Sequence, residues 1–108
     1  MINERVQAAL REMRMSLDRA FGPETVMTLF GSVARCEYGP SSYVDILVLL
    51  PFEPTLSDEE RVYDLAYDVE LAQGVVFGII VYSLNFWNSD AARVMPIHKN
   101  IDREGIGV

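Results

Sequence analysis

The sequence predicts an α/β or α+β domain built around a small β-sheet. Segments with helical periodicity alternate with short apolar runs that are typical of strands. The run over residues 43–50 is almost wholly apolar, so both of its faces are expected to be covered. The 108 residues contain no repeat and no linker-like segment, so a single domain over residues 1–108 is expected.

The first half of the chain predicts a helix, a strand, a short helix and a second strand. Residues 3–21 carry apolar side chains at helical spacing, and Gly22-Pro23 ends this helix. A short strand follows over residues 26–30, and residues 32–37 can form a short helix. After a turn-rich gap, the second strand covers residues 43–50.

The second half predicts a long helix, a third strand and a tail of mixed character. Ser57 and Glu60 have the spacing of a capping box, which would start a helix that runs to about Gln73. The β-branched run over residues 75–84 predicts the third strand, and residues 86–92 predict another short helix.

Composition excludes several classes of protein. A net charge of −7 and a pI near 4.5 argue against broad nucleic-acid binding. The single cysteine excludes an internal disulfide framework and fits a reducing compartment. Since no segment reaches the ~20 apolar residues of a membrane span, we expect a cytoplasmic protein with no membrane association.

Two features give residues 29–50 the character of a binding site. Gly31-Ser32 follows the first strand, where glycine permits a sharp turn and a helix start offers N–H groups to phosphate; a plain turn is the alternative. Asp45 is a lone charge in an apolar strand. It can be a metal ligand, or it can accept hydrogen bonds from nearby backbone.

The combined pattern resembles a known family. Leu-Phe-Gly-Ser-x-Ala-Arg, a turn-rich gap, Ser-x-x-Asp and an aliphatic strand are similar to the minimal nucleotidyltransferase (MNT) family. That family belongs to the DNA polymerase β-like nucleotidyltransferase superfamily. The resemblance implies the small nucleotidyltransferase fold, an α+β arrangement with helices mainly on one face of a mixed β-sheet. The leading amphipathic helix, the segment "VVFGIIVYS" and the tail "NIDREGIGV" extend the resemblance over nearly the whole chain.

The resemblance implies roles for particular residues. Gly31 and Ser32 would contact the phosphates of a nucleoside triphosphate, and Asp45 would be the catalytic residue and a ligand of Mg²⁺. Arg35 would meet a phosphate, although pairing with Glu37 or exposure to solvent is an equal alternative.

The sequence departs from the family at the metal-binding positions. Asp45 matches the second of two aspartates that are one residue apart, but Tyr43 stands at the first. The third aspartate would come from the strand after residue 74, at Gly78 or Val76, and residues 75–83 contain no Asp or Glu. Cys36 stands where the family usually has glycine. His98 has no companion Cys or His nearby in the sequence, and we do not expect it to bind metal.

Two hypotheses about function follow from the resemblance. The first, which we favour, is a nucleotidyltransferase-family domain with a degenerate metal site, acting as an antitoxin-like module beside a HEPN-type partner. The second is an active enzyme that uses Mg²⁺ to move a nucleoside monophosphate from an NTP to a protein or small-molecule acceptor. A homo-oligomer is also possible, with Tyr82, Phe86 and Trp87 as an apolar contact surface.

Overall fold

The computed structural model describes residues 3–37, 39 and 43–108. Its helices and strands, in chain order, are α1 (Glu4–Phe21), β1 (Val26–Phe30), α2 (Gly31–Ala34), β2 (Val44–Leu50), α3 (Leu56–Gln73), β3 (Phe77–Ser83), α4 (Leu84–Trp87), α5 (Asp90–Arg93), α6 (Pro96–Glu104) and β4 (Ile106–Gly107).

The four strands form one mixed sheet in the order β3-β2-β1-β4. Strands β2 and β3 are parallel, whereas β1 is antiparallel to both β2 and β4. In this register Asp45 lies opposite Phe30 of β1 and opposite Gly78 of β3. The α+β class and the mixed sheet predicted from the sequence are confirmed.

The two long helices lie on one face of the sheet. Val6, Met13 and Leu17 of α1 and Val62 and Val69 of α3 join the buried side chains of the even-numbered positions of β2 in one core. Full burial of each such side chain contributes about 1.5–3 kcal/mol. This apolar contact with the sheet is the main force that holds α1 and α3 in place.

A smaller apolar cluster covers part of the opposite face. Leu47 and Leu49 of β2 pack there with Phe30 of β1, Trp87 of α4 and Ile101 of α6. Asp45 has the same strand parity as these two leucines, so its side chain also points to this face, near the start of β2. The long helices therefore do not cover Asp45.

The structure corrects three local predictions. The capping box of α3 is formed by Thr55 and Asp58, whose side chains and backbone N–H groups bond reciprocally, and not by Ser57 and Glu60. Residues 86–92 are not one helix, because Ser83 and Ser89 cap the separate helices α4 and α5. The tail of mixed character is α6, with Pro96 at its first turn, followed by β4 on the edge of the sheet.

Among the described residues, none of the helices has the length and apolar character that crossing a bilayer requires.

Candidate functional site

Gly31 makes the turn from β1 into α2 with a positive φ of 76°. That conformation is readily adopted by glycine and costs other residues roughly 1–2 kcal/mol. A Cβ atom at this position would also collide with the Asp45 carboxylate. Gly31 is therefore required both by the turn and by the close approach of Asp45.

Gly78 borders Asp45 on the other side. The two residues are register partners in the parallel pair β2–β3, and a Cβ on Gly78 would meet Oδ1 of Asp45. The same Cβ would lie 3.9 Å from Cβ of Tyr43, which is itself exposed. The structure thus brings Tyr43, Asp45, Gly78 and Gly31 together, and it places Gly78, rather than Val76, against the Asp45 carboxylate.

Burial raises the pKa of Asp45, and the nearby positive charge of Arg35 partly opposes that rise. Partial burial of a carboxylate disfavours its ionised form because the protein solvates charge less well than water does. A partly buried carboxyl group with a raised pKa is typical of functional sites, although charged residues with a structural role also show shifted pKa values.

Glu104, at the end of α6, reaches the same turn. Its Oε1 accepts a hydrogen bond from the backbone N–H of Gly31 at 3.3 Å. Nη1 of Arg35 donates to both carboxylate oxygens at 3.1 Å. The hydrogen bond from Arg35, together with the one from Gly31, lowers the pKa of Glu104. The Glu104 carboxylate therefore accepts hydrogen bonds from two groups, Gly31 and Arg35, that the sequence resemblance assigns to phosphate binding.

Arg35 has a second acidic partner in Glu37, whose Oε2 lies 3.0 Å from Nε of Arg35. The hydrogen bonds that Arg35 donates to Glu37 and Glu104 raise the pKa of the guanidinium group. Of the alternatives left open by the sequence, pairing with Glu37 is observed. The pairing with Glu104 was missed, and the acidic character of the tail "NIDREGIGV" was the one available signal.

Ser32 and Cys36 complete the turn that follows β1. The Ser32 carbonyl accepts the Glu37 N–H at 2.8 Å, which closes the short helical segment. Cys36 is exposed and has a φ of 61°, in the left-handed region. The expectation that this position favours glycine therefore has a conformational basis.

Metal-binding side chains do not cluster around Asp45 in the part of the chain that the structure describes. Across residues 3–37, 39 and 43–108, the side chains of His, Cys, Asp and Glu form no group of three that could hold a metal ion. The side chains beside Asp45 are the phenol of Tyr43, just before β2, and the single hydrogen of Gly78 in β3. Mg²⁺ prefers a near-octahedral set of oxygen ligands, which a phenol supports poorly.

His98 and the aromatic residues have structural surroundings. Nε2 of His98 lies 2.9 Å from the Trp87 carbonyl oxygen, Nδ1 lies 3.0 Å from Asp102, and the ring stacks on Trp87. The Trp87 ring is buried, and Tyr82 contacts both Trp87 and Phe86. Trp87 thus belongs to the chain's own core, and self-association through this cluster stays a prediction.

Comparisons with known proteins identify the family to which the sequence and fold belong. A family model for the nucleotidyltransferase domain matches residues 10–90. A putative protein adenylyltransferase of Methanocaldococcus jannaschii is 35% identical over 54 residues, which are 50% of this chain and 54% of that protein. The matched segment therefore spans about half the length of this curated relative.

Two solved structures are similar in fold. The structure of a putative minimal nucleotidyltransferase has a TM-score of 0.61 and 28% identity, and the match covers 95% of this chain and 93% of that chain. The crystal structure of a toxin–antitoxin with AMP-PNP has a TM-score of 0.59 and 17% identity, over 88% of this chain and 68% of that chain. Because the family model matches most of the chain, residues 10–90, this chain belongs to the nucleotidyltransferase domain family.

Proposed function

We propose that this chain is a nucleotidyltransferase-family domain with a degenerate metal site, which acts by binding a partner protein in the manner of an antitoxin. One observation carries the proposal: Tyr43 and Gly78 lie beside the Asp45 carboxylate, at the positions where a metal-dependent site would need further carboxylates. Nucleotidyl transfer depends on cations that offset the charge of the triphosphate. One carboxylate cannot hold them in place.

The position of Glu104 supports the same proposal. Its carboxylate accepts hydrogen bonds from the N–H of Gly31 and from Arg35. A phosphate that bound to these donors would have to displace the carboxylate and would be repelled by its negative charge. Tight triphosphate binding is therefore not expected in the wild-type chain.

The proposed partner is a HEPN-type protein, and the proposed compartment is the cytoplasm. The resemblance to the MNT family suggests this partner, because many members of that family act beside one. The fold similarity to a toxin–antitoxin structure supports a role within such a pair.

The experiment co-expresses the chain with the product of the neighbouring reading frame. We expect a stable complex by size-exclusion chromatography, and restored growth of cells that the neighbouring protein alone would arrest. The Asp45→Ala variant should protect equally well, because neutralisation would occur by contact. Protection that is lost in Asp45→Ala, while the complex still forms, would contradict the non-enzymatic reading.

A second candidate function is an active protein adenylyltransferase. It is favoured by the retained Asp45 beside the Gly31 turn and by the curated relative that carries this name. The test incubates wild type and Asp45→Ala with Mg²⁺, labelled ATP and the neighbouring protein. Labelling by wild type that Asp45→Ala abolishes would establish this second function.

The Tyr43→Asp variant adds an independent test of the alignment. It would place a second carboxylate at the residue just before β2, one residue away from Asp45, and in an extended chain this spacing lets both side chains reach a shared metal. Calorimetry should show tighter binding of Mg²⁺-ATP than in wild type. Unchanged binding would contradict the assignment of Tyr43 to a lost ligand position.

A further inference from the structure

The outward face of α3 carries an apolar stripe. Its members are Leu56, Tyr63, Tyr67 and Leu71, and these side chains are 71%, 51%, 59% and 67% exposed. Spacings of seven and four residues place them along one side of the helix. The opposite side of α3 already packs into the core through Val62, Ala66 and Val69. A surface helix with a second apolar side indicates a contact with another molecule.

Charge identifies what kind of molecule fits this stripe. The sequence of α3 contains six carboxylates and one guanidinium group. Asp58 is used in the helix cap, and Glu70 accepts the N–H of Phe77, but Glu60, Asp64 and Asp68 are exposed. By helical spacing these three lie within or beside the stripe. A complementary surface therefore combines apolar side chains with Lys or Arg.

The same charges disfavour a second copy of this chain. In a twofold-symmetric contact the acidic residues beside the stripe of one copy would face the same acidic residues of the other copy. Like charges that face each other oppose association. The whole chain carries a net charge of −7, which adds to this repulsion.

The shape of the stripe favours a helical partner. From Leu56 to Leu71 the stripe extends about 22 Å along the helix axis at ~1.5 Å per residue. Apolar positions at this spacing fit against another helix or into a groove between two helices. Tyrosine is also among the residues that contribute most at interfaces.

We propose that the stripe formed by Leu56, Tyr63, Tyr67 and Leu71 is the docking surface for a cationic, α-helical protein. This inference rests on the partner-binding function proposed above and names the surface that performs it. Because α3 covers the face of the sheet opposite to Asp45, a protein docked there leaves the Gly31–Asp45 region accessible.

The experiment uses two synthetic helical peptides with the same leucine stripe, one flanked by lysine and one flanked by glutamate. Calorimetry at low and high salt should show that the lysine peptide binds wild type in a salt-dependent manner and that the glutamate peptide does not. The double variant Tyr63→Ser/Tyr67→Ser should lower the affinity at least about tenfold. Asp64→Asn/Asp68→Asn should reduce the salt dependence.

The matched control is Val94→Ser, since Val94 is 71% exposed but lies at the end of α5. Circular dichroism checks that each variant folds, which is expected because all the changed side chains are exposed. The proposal is overturned if Val94→Ser weakens binding as much as the double variant does, or if both peptides bind equally. It is also overturned if wild type sediments as a dimer that the tyrosine variant dissociates.

Binding of the neighbouring protein to wild type and to the tyrosine double variant distinguishes a failure of this inference from a failure of the proposed function. If the neighbouring protein binds wild type and the tyrosine double variant equally, the proposed partner-binding function is supported, but the assignment of the docking surface to α3 is wrong. If the neighbouring protein does not bind wild type, while the lysine peptide binds through the two tyrosines, the antitoxin-like function is wrong and the surface survives.

Discussion

The carboxylate of Glu104 accepts a hydrogen bond from the backbone N–H of Gly31, which lies 73 positions earlier in the chain. This contact joins the end of α6 to the turn between β1 and α2. Arg35 strengthens it by donating to both oxygens of the same carboxylate. The tail thereby holds the turn on which the candidate site depends, and it does so with an ionised group.

The first prediction concerns the pH dependence of stability. The pKa of Glu104 in the folded chain lies below its ordinary value of 4.5, so its contribution is fully present above that pH and is lost as the pH falls through the folded pKa. Glu104→Gln should therefore lower the free energy of unfolding near neutral pH. Denaturant titrations should show this difference shrinking below pH 4.5. A difference that stays constant with pH would contradict the role of the charge.

The second prediction concerns anion binding at the same contact. Glu104→Gln removes the negative charge from the Gly31 N–H and from Arg35, so tripolyphosphate should bind several-fold more tightly than it does to wild type. Glu37→Gln is the matched control, because Glu37 also pairs with Arg35 but is more exposed and makes no contact with Gly31 in the hydrogen bonds observed. Calorimetry measures both variants. Equal gains in the two would show that only the net charge matters.

The third prediction concerns Asp45. Its pKa in the folded chain lies above 3.8, so its ionisation reduces stability as the pH rises from 3.8 through the folded pKa, and the loss is complete above that. Asp45→Asn keeps the shape and removes the charge. The variant should be more stable than wild type near neutral pH, and the gain should vanish as the pH falls toward 3.8. A less stable Asp45→Asn at neutral pH would contradict this prediction.

The sequence was informative where a feature is local. The apolar run of β2, the Gly31 turn and the lone charge of Asp45 are each visible within a few residues, and the register of the sheet then brings Gly78 beside Asp45. The capping box was misplaced because Thr55-x-x-Asp58 and Ser57-x-x-Glu60 overlap, and the pattern alone does not choose between them.

The role of Glu104 could not be predicted in the same way. It depends on α6 lying against the end of β1, and the tail has so few apolar residues that neither α6 nor β4 was predicted. A hydrogen bond between Glu104 and Gly31 is a consequence of tertiary packing, which no local periodicity reports.

The fourth prediction concerns Cys36, whose φ of 61° is unfavourable for a side chain with a Cβ atom. Cys36→Gly removes a strain of about 1–2 kcal/mol, although glycine loses roughly 0.5–1 kcal/mol through its larger entropy in the unfolded chain. The net expectation is a gain of up to about 1.5 kcal/mol in the free energy of unfolding. Cys36→Ala keeps the Cβ and serves as the control, and it should bring no such gain.

The last prediction tests the close packing of Gly78 against Asp45. A methyl group at residue 78 would meet Oδ1 of Asp45, so Gly78→Ala should cost about 1–3 kcal/mol in the wild-type background. In an Asp45→Ala background the obstructing carboxylate is absent, and alanine is favoured over glycine in a strand by roughly 0.5–1 kcal/mol. The cost should then disappear.

Denaturant unfolding of wild type, both single variants and the double variant gives the coupling energy between the two positions, which we expect to exceed about 1 kcal/mol. Gly107→Ala in β4 is the matched control, because a Cβ there meets no atom within 4 Å among the described residues. It should change stability by less than about 0.5 kcal/mol. Additive effects of Gly78→Ala and Asp45→Ala would mean that the carboxylate does not occupy the space beside β3, and the geometry assigned to the candidate site would be wrong.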